Sequence, residues 1–203
     1  GTLQSSALIK ELINTKRIDP PIDGVWEAFH IEVMEKPMAS VSNALVIAGS
    51  DRRGCAFGVF EVSKQMGVSP WYWWADVPVK KKTNLALKKN AVISDAPKVK
   101  YRGIFINDEA PALSGWTKEK FGGFNHRFYE KVFELMLRLK SNYIWPAMWG
   151  KAFYYDDSLN IKMADDHGIV IGTSHHEPLM RAHEEWKYFG EGRKWNYDST
   201  EAG

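Results

Sequence analysis

The sequence predicts a mixed α/β protein in two parts: a small N-terminal α/β accessory domain over residues 1–97, and a regular alternation of strands and helices over 98–203. Three observations carry this reading. Short apolar runs at 44–48 (ALVIA), 101–106 (YRGIFI) and 169–172 (IVIG) have the length and composition of strands. Between them, apolar residues recur at helical spacing, as in Phe128, Val132, Leu135 and Leu139. The texture changes at Pro97, before which 69–97 holds few regular signals and after which strand and helix alternate strictly.

In the first part, residues 5–17 read as a helix that starts after Ser5 or Ser6 and is stopped by Pro20-Pro21. Residues 26–34 alternate, placing Phe29, Ile31 and Val33 on one face of a strand. Residues 44–48 are expected to be a fully buried strand. The turn 49–54 (GSDRRG) then opens a helix whose apolar stripe is Cys55, Val59, Val62 and Met66, closed by Gly67. A short strand is expected within 90–96.

In the second part, strands at 101–106, 143–145 and 169–172 are separated by helices at 125–140 and 158–167, with a further helix starting at Arg181. That order implies a parallel sheet with right-handed crossovers. A closed (β/α)8 barrel takes eight such units in about 250 residues. This stretch is therefore expected to be the first three β/α units of a TIM (β/α)8 barrel, cut short at residue 203.

Composition excludes several functions. A net charge of +2 offers no electrostatic case for nucleic acid or an anionic membrane surface. No apolar run approaches the roughly 20 residues of a membrane helix. With Cys55 as the single cysteine, an internal disulfide or a Cys-rich zinc site is ruled out. The nine Trp admit two readings, a heavy aromatic core or stacking surfaces for sugar rings.

Active sites of parallel α/β folds form just past the C-terminal ends of the strands. The first strand ends in Asn107-Asp108-Glu109, which would serve a glycosidase as carboxylates and an amide over a cleft, or would simply cap a turn. The second ends in Trp145-Pro146-Ala147-Met148-Trp149, where Trp145 is expected in the core and Trp149 in a binding wall. The third ends in His175-His176-Glu177. Adjacent strand residues point to opposite faces, so these histidines do not share one ion, and His175 is read as a hydrogen-bonding group rather than a metal ligand. A carboxylate at a strand end should face the cleft, so losing Asp108 should cost activity without comparable loss of folding. The 49–54 turn lacks the full glycine pattern of a nucleotide site.

Taken together, GSDRRGCAFGVFEVSKQMGVSPWYWWADVP, YRGIFINDEAP, WPAMWG and TSHHEPLMR resemble glycoside hydrolase family 115 over about residues 40–186. The resemblance implies an inverting α-glucuronidase that removes (4-O-methyl)-glucuronic acid from the xylose backbone of glucuronoxylan or its oligosaccharides. It implies Asp108 as a catalytic participant and Asn107, Trp149, His175 and Glu61 as substrate contacts, with neither cofactor nor metal. It further implies a secreted or periplasmic protein, homodimeric at full length, whose other acidic groups lie on later strands. A hexosaminidase-like glycosidase and a non-catalytic carbohydrate-binding fragment are the alternatives. The first is distinguished by whether uronic or N-acetylated sugars are accepted, the second by whether the full gene ends near Gly203.

Overall fold

Ser6 opens the first helix, α1 (Ala7–Asn14), by accepting the Ile9 N–H on its side-chain oxygen. Two strands follow, β1 (Phe29–Met38) and β2 (Val41–Gly49), paired antiparallel; then come α2 (Arg52–Gln65) and β3 (Val92–Asp95). β3 adds antiparallel to the free edge of β1, giving the order β2-β1-β3. The computed structural model describes residues 1–86, 88, 91–174 and 184–186. It divides into one unit of Gly1–Lys100 with Leu137–Lys140 and another of Tyr101–Met136 with Ser141–Gly203.

The sheet of the first unit is covered on both faces. On one, Ile9 and Leu12 of α1 join Met34, Val46 and Ala48 in a buried cluster. On the other, α2 lies against Phe29 and Ile47. The contact face of α2 corrects the sequence expectation. Gly54, Phe57 and Gly58 are buried, whereas Val59 is 51% exposed. The helix approaches the sheet through its smallest residues: a Cβ on Gly58 would stand 2.7 Å from Ile47 Cγ2, and one on Gly54 would stand 2.2 Å from the Ala28 carbonyl oxygen. An apolar stripe cannot reveal a face made of glycine.

Two other expectations are adjusted here. β1 starts at Phe29 rather than at residue 26, because Glu27 takes a left-handed backbone (φ 54) that interrupts the extended run. β2 is not fully buried: Leu45 and Ile47 are half-buried, and a cavity of about 290 Å³ opens beside Leu45, Val62, Met66 and Ile93.

In the second unit β4 (Gly103–Phe105), β5 (Tyr143–Trp145) and β6 (Val170–Ile171) form a parallel sheet in that order. α3 (Ala112–Phe121) and α4 (His126–Arg138) connect the first pair; α5 (Phe153–Asp156) and α6 (Leu159–His167) connect the second. Asn142 ties the strands at their starts: its carbonyl accepts from Val170 N–H at 2.8 Å, and its side-chain oxygen accepts from Arg102 N–H at 2.9 Å. Gly103 is required by closeness, since a Cβ there would lie 2.0 Å from the Tyr143 carbonyl oxygen.

α4 supplies most of this unit's core. Phe128, Tyr129, Val132, Phe133 and Met136 are almost fully buried. Tyr129 packs edge-on to Phe153 at 4.8 Å, and Phe124 packs edge-on to Phe128 at 5.2 Å. These core rings are Phe and Tyr; among the described residues no Trp is buried, and Trp26, Trp71, Trp145 and Trp149 are exposed. The N-terminus of α4 is pinned by Asp157, whose carboxylate accepts the His126 N–H at 3.0 Å and pairs with His126 Nδ1 at 2.6 Å.

Candidate functional site

Asp108 follows β4 in a buried position, 1% exposed, between the exposed Asn107 and Glu109. Its carboxylate does not lie open to solvent. Oδ1 accepts the Met148 N–H at 3.0 Å, and Oδ2 accepts the Trp149 N–H at 3.1 Å. Its carbonyl oxygen accepts the hydroxyl of Ser114 from α3. Asp108 therefore joins the ends of β4 and β5, which brings together two of the residues singled out from the sequence. The expectation that its loss would spare the fold changes accordingly, because two amides depend on this carboxylate.

The turn after β5 carries the aromatic wall. Trp149 is 52% exposed, in keeping with a residue past the strand end, and Gly150 closes the turn with φ 62. Trp145, expected in the core, is instead 37% exposed. Its ring stands edge-on to Phe105 at 5.9 Å, and its Nε1–H donates to Tyr143 Oη at 3.0 Å. The reason is the alternation of β5. Ile144 is fully buried, so Trp145 takes the opposite face, which the described residues leave partly open.

The amide next to these, Ala147 N–H, donates to Tyr129 Oη at 3.2 Å. Tyr129 escaped the sequence reading because it lies outside the stripe of Phe128, Val132, Leu135 and Leu139, although it is buried beside Val132 and Phe133. Its signal was the hydroxyl, which when buried must find a partner. His175, with His176, Glu177 and His183, lies outside the described residues.

Glu61 belongs to the first unit, on α2, with its side chain 14% exposed. It accepts from Gln65 Nε2 at 3.2 Å and pairs with Lys140 Nζ at 3.1 Å. Burial opposes charge on Glu61, but the Gln65 hydrogen bond and the Lys140 ammonium outweigh it and hold the carboxyl below its ordinary range. Lys140 also reaches Asp95 at 2.8 Å and lies over the Phe29 ring, 5.0 Å from its centroid. The hydrogen bond from Lys140 likewise lowers Asp95, against a smaller effect of burial. Burial works against charge on Lys140 in turn, yet its two carboxylates raise its pKa.

The glycine-rich turn before α2 is already occupied by protein groups. Asp51 accepts the Gly54 N–H on Oδ1 and the Glu27 N–H on Oδ2, each at 2.8 Å. Arg53 is paired with the buried carboxylate of Glu27. These contacts fill the helix N-terminus with an internal anion, the role a phosphate would otherwise take.

Comparison with known proteins gives matches of two kinds, to a family profile and to solved structures. The sequence profile described as glycosyl hydrolase family 115 matches residues 94–203. A solved structure described as a novel family GH115 4-O-methyl-α-glucuronidase with specificity for decorated arabinogalactans superposes with a TM-score of 0.86 at 36% sequence identity. That match covers 100% of this chain and 26% of the other, so the chain spans about a quarter of that protein's length. No curated protein matches the chain.

Proposed function

Because the chain belongs to glycosyl hydrolase family 115, we propose that it forms part of an enzyme releasing terminal α-linked (4-O-methyl)-glucuronic acid from a plant polysaccharide. The observation that supports this most is the pairing of Asp108 with the Trp149 backbone, which joins a carboxylate and an exposed indole at adjacent strand ends. Rims of this kind build the active sites of parallel α/β enzymes. In this reading the sheet β4-β5-β6 opens a (β/α)8 barrel. Asn107, Trp149 and His175 serve the uronic acid subsite, and Asp108 supports catalysis from beneath it by holding the turn that carries Trp149. The aromatic face of Trp149 suits the C–H face of a pyranose, and the Asn107 amide suits its hydroxyls.

The reaction proposed is hydrolysis with inversion. A water attacks the anomeric carbon from the side opposite the leaving oxygen, activated by one carboxylate while a second protonates that oxygen. Such pairs stand about 6.5–9.5 Å apart to admit the water. The substrate is proposed to be glucuronoxylan or its oligosaccharides, encountered outside the cytoplasm. A second polymer is favoured by one observation: the matched structure is described as specific for decorated arabinogalactans.

The test is to incubate the full-length protein carrying this chain with 4-O-methylglucuronoxylan and, separately, with a uronic-acid-decorated arabinogalactan. Released uronic acid is quantified, and its initial anomer is read by proton NMR. Release from either polymer as the β-anomer is expected. No release from both, with turnover of an N-acetylhexosaminide instead, would overturn the reading in favour of a hexosaminidase.

A further inference from the structure

Three consecutive amides after β5 are each held by a buried side chain. Tyr129 Oη takes Ala147 N–H at 3.2 Å, Asp108 Oδ1 takes Met148 N–H at 3.0 Å, and Asp108 Oδ2 takes Trp149 N–H at 3.1 Å. Tyr129 and Asp108 are each 1% exposed, while the residue they lead to, Trp149, is 52% exposed. Neither holding group is local to the turn. Asp108 follows β4 and is itself fixed by Ser114, and Tyr129 is locked in the core of α4 between Phe133 and Phe153.

From this geometry we infer that Asp108 and Tyr129 are positioning residues, which set the peptide planes of the 147–149 turn and so hold the Trp149 indole ready as a sugar-stacking platform. The inference rests on the glycosidase reading above and deepens it. Acceptance at successive amides leaves the turn little freedom, so the platform does not have to be ordered when sugar arrives. A general acid or base must come within about 2.6–3.2 Å of the proton it moves. Both oxygens of Asp108 are turned instead to the Met148 and Trp149 backbone. Asp108 thus acts through Trp149, and Tyr129 shares that task at the preceding amide.

The experiment uses the full-length protein and the variants Tyr129→Phe, Asp108→Asn, Trp149→Ala and Tyr129→Phe/Trp149→Ala. Near-UV circular dichroism confirms folding. Calorimetry with a uronic-acid-bearing xylo-oligosaccharide gives Kd, and uronic acid release gives kcat and KM. Tyr129→Phe keeps the ring and its packing, so it reports the hydroxyl alone. The expected result is that Tyr129→Phe and Asp108→Asn weaken binding by about tenfold, with kcat changed far less. The double variant should bind no more weakly than Trp149→Ala, because fastening a missing platform has no effect. Full additivity in the double variant, or unchanged binding by Tyr129→Phe, would overturn the inference while leaving the enzyme assignment intact. So would a loss in kcat of about 10²–10⁴ at unchanged Kd for Asp108→Asn, which is the mark of direct proton transfer. A wild-type protein that neither binds nor cleaves the oligosaccharide would remove the enzyme reading and the inference together.

Discussion

Lys140 and Glu61 form an ion pair 3.1 Å long, and the same ammonium reaches Asp95 at 2.8 Å. Lys140 holds this position with a left-handed backbone, φ 58, just past the end of α4. The pair is partly buried, the two side chains being 33% and 14% exposed. Replacing Lys140 by Met should therefore cost more than breaking a surface pair and less than breaking a fully buried one. About 1–2 kcal/mol is expected by urea denaturation. An unchanged midpoint would mean that solvent already screens the pair.

Acid should weaken the fold through a small set of carboxylates. The backbone N–H of His126, and then the His126 side chain, outweigh burial and hold Asp157 at about 2. Glu61 and Asp95 are lowered as well. A carboxyl lowered by folding contributes stability above its unfolded pKa, near 4, and loses it as pH falls through the folded value. For Asp157 that window runs from about pH 4 down to about pH 2. Lys140 is raised, so its contribution stands below its unfolded pKa of about 10.4 and fades only above that. Asp157→Asn should flatten the acid limb of a stability–pH curve and lower neutral stability by about 0.5–2 kcal/mol, as loss of a helix cap does. Chemical denaturation from pH 2 to 7 checks both.

Gly54→Ala should destabilise the first unit. The new Cβ would sit 2.2 Å from the Ala28 carbonyl oxygen, which is backbone and cannot turn aside. The cost expected is that of overpacking, about 1–3 kcal/mol, visible as a lowered Tm. Gly115→Ala meets nothing within 4 Å and is the control, expected to be neutral or slightly stabilising.

Asp108→Ala should lower stability as well as activity. It leaves the Met148 and Trp149 amides without the carboxylate, and each buried unpaired group costs about 1–3 kcal/mol. Trp149→Ala, at an exposed position, should leave Tm nearly unchanged while weakening sugar binding. Differential scanning calorimetry beside binding measurements separates the two effects. Equal Tm values for the two variants would show that the amides find water instead.

Local pattern alone was enough to place most elements. The Ser6 cap, the apolar run of β5 and the left-handed glycine at 168 that closes α6 are written in the residues that form them. So is the parallel alternation of β4, β5 and β6, because strand and helix periods differ. α3 was missed: it is barely amphipathic, carries Gly115 in its middle and buries only Thr117. The family motifs were equally legible, and they singled out Asp108 and Trp149.

Tertiary structure alone decided what those residues touch. Periodicity assigned α2 the wrong buried face, since close approach selects Gly54 and Gly58 for lacking a side chain. It could not tell that Tyr129 bonds to a turn 18 residues away, or that the Asp108 carboxylate binds backbone 40 residues on. Nor could it tell that Lys140 gathers Glu61 and Asp95. Backbone amides are the same at every residue, so sequence carries no mark of which of them a distant side chain will hold. Only the packing of the elements brings donor and acceptor within 3 Å or so of each other, where a hydrogen bond begins to count.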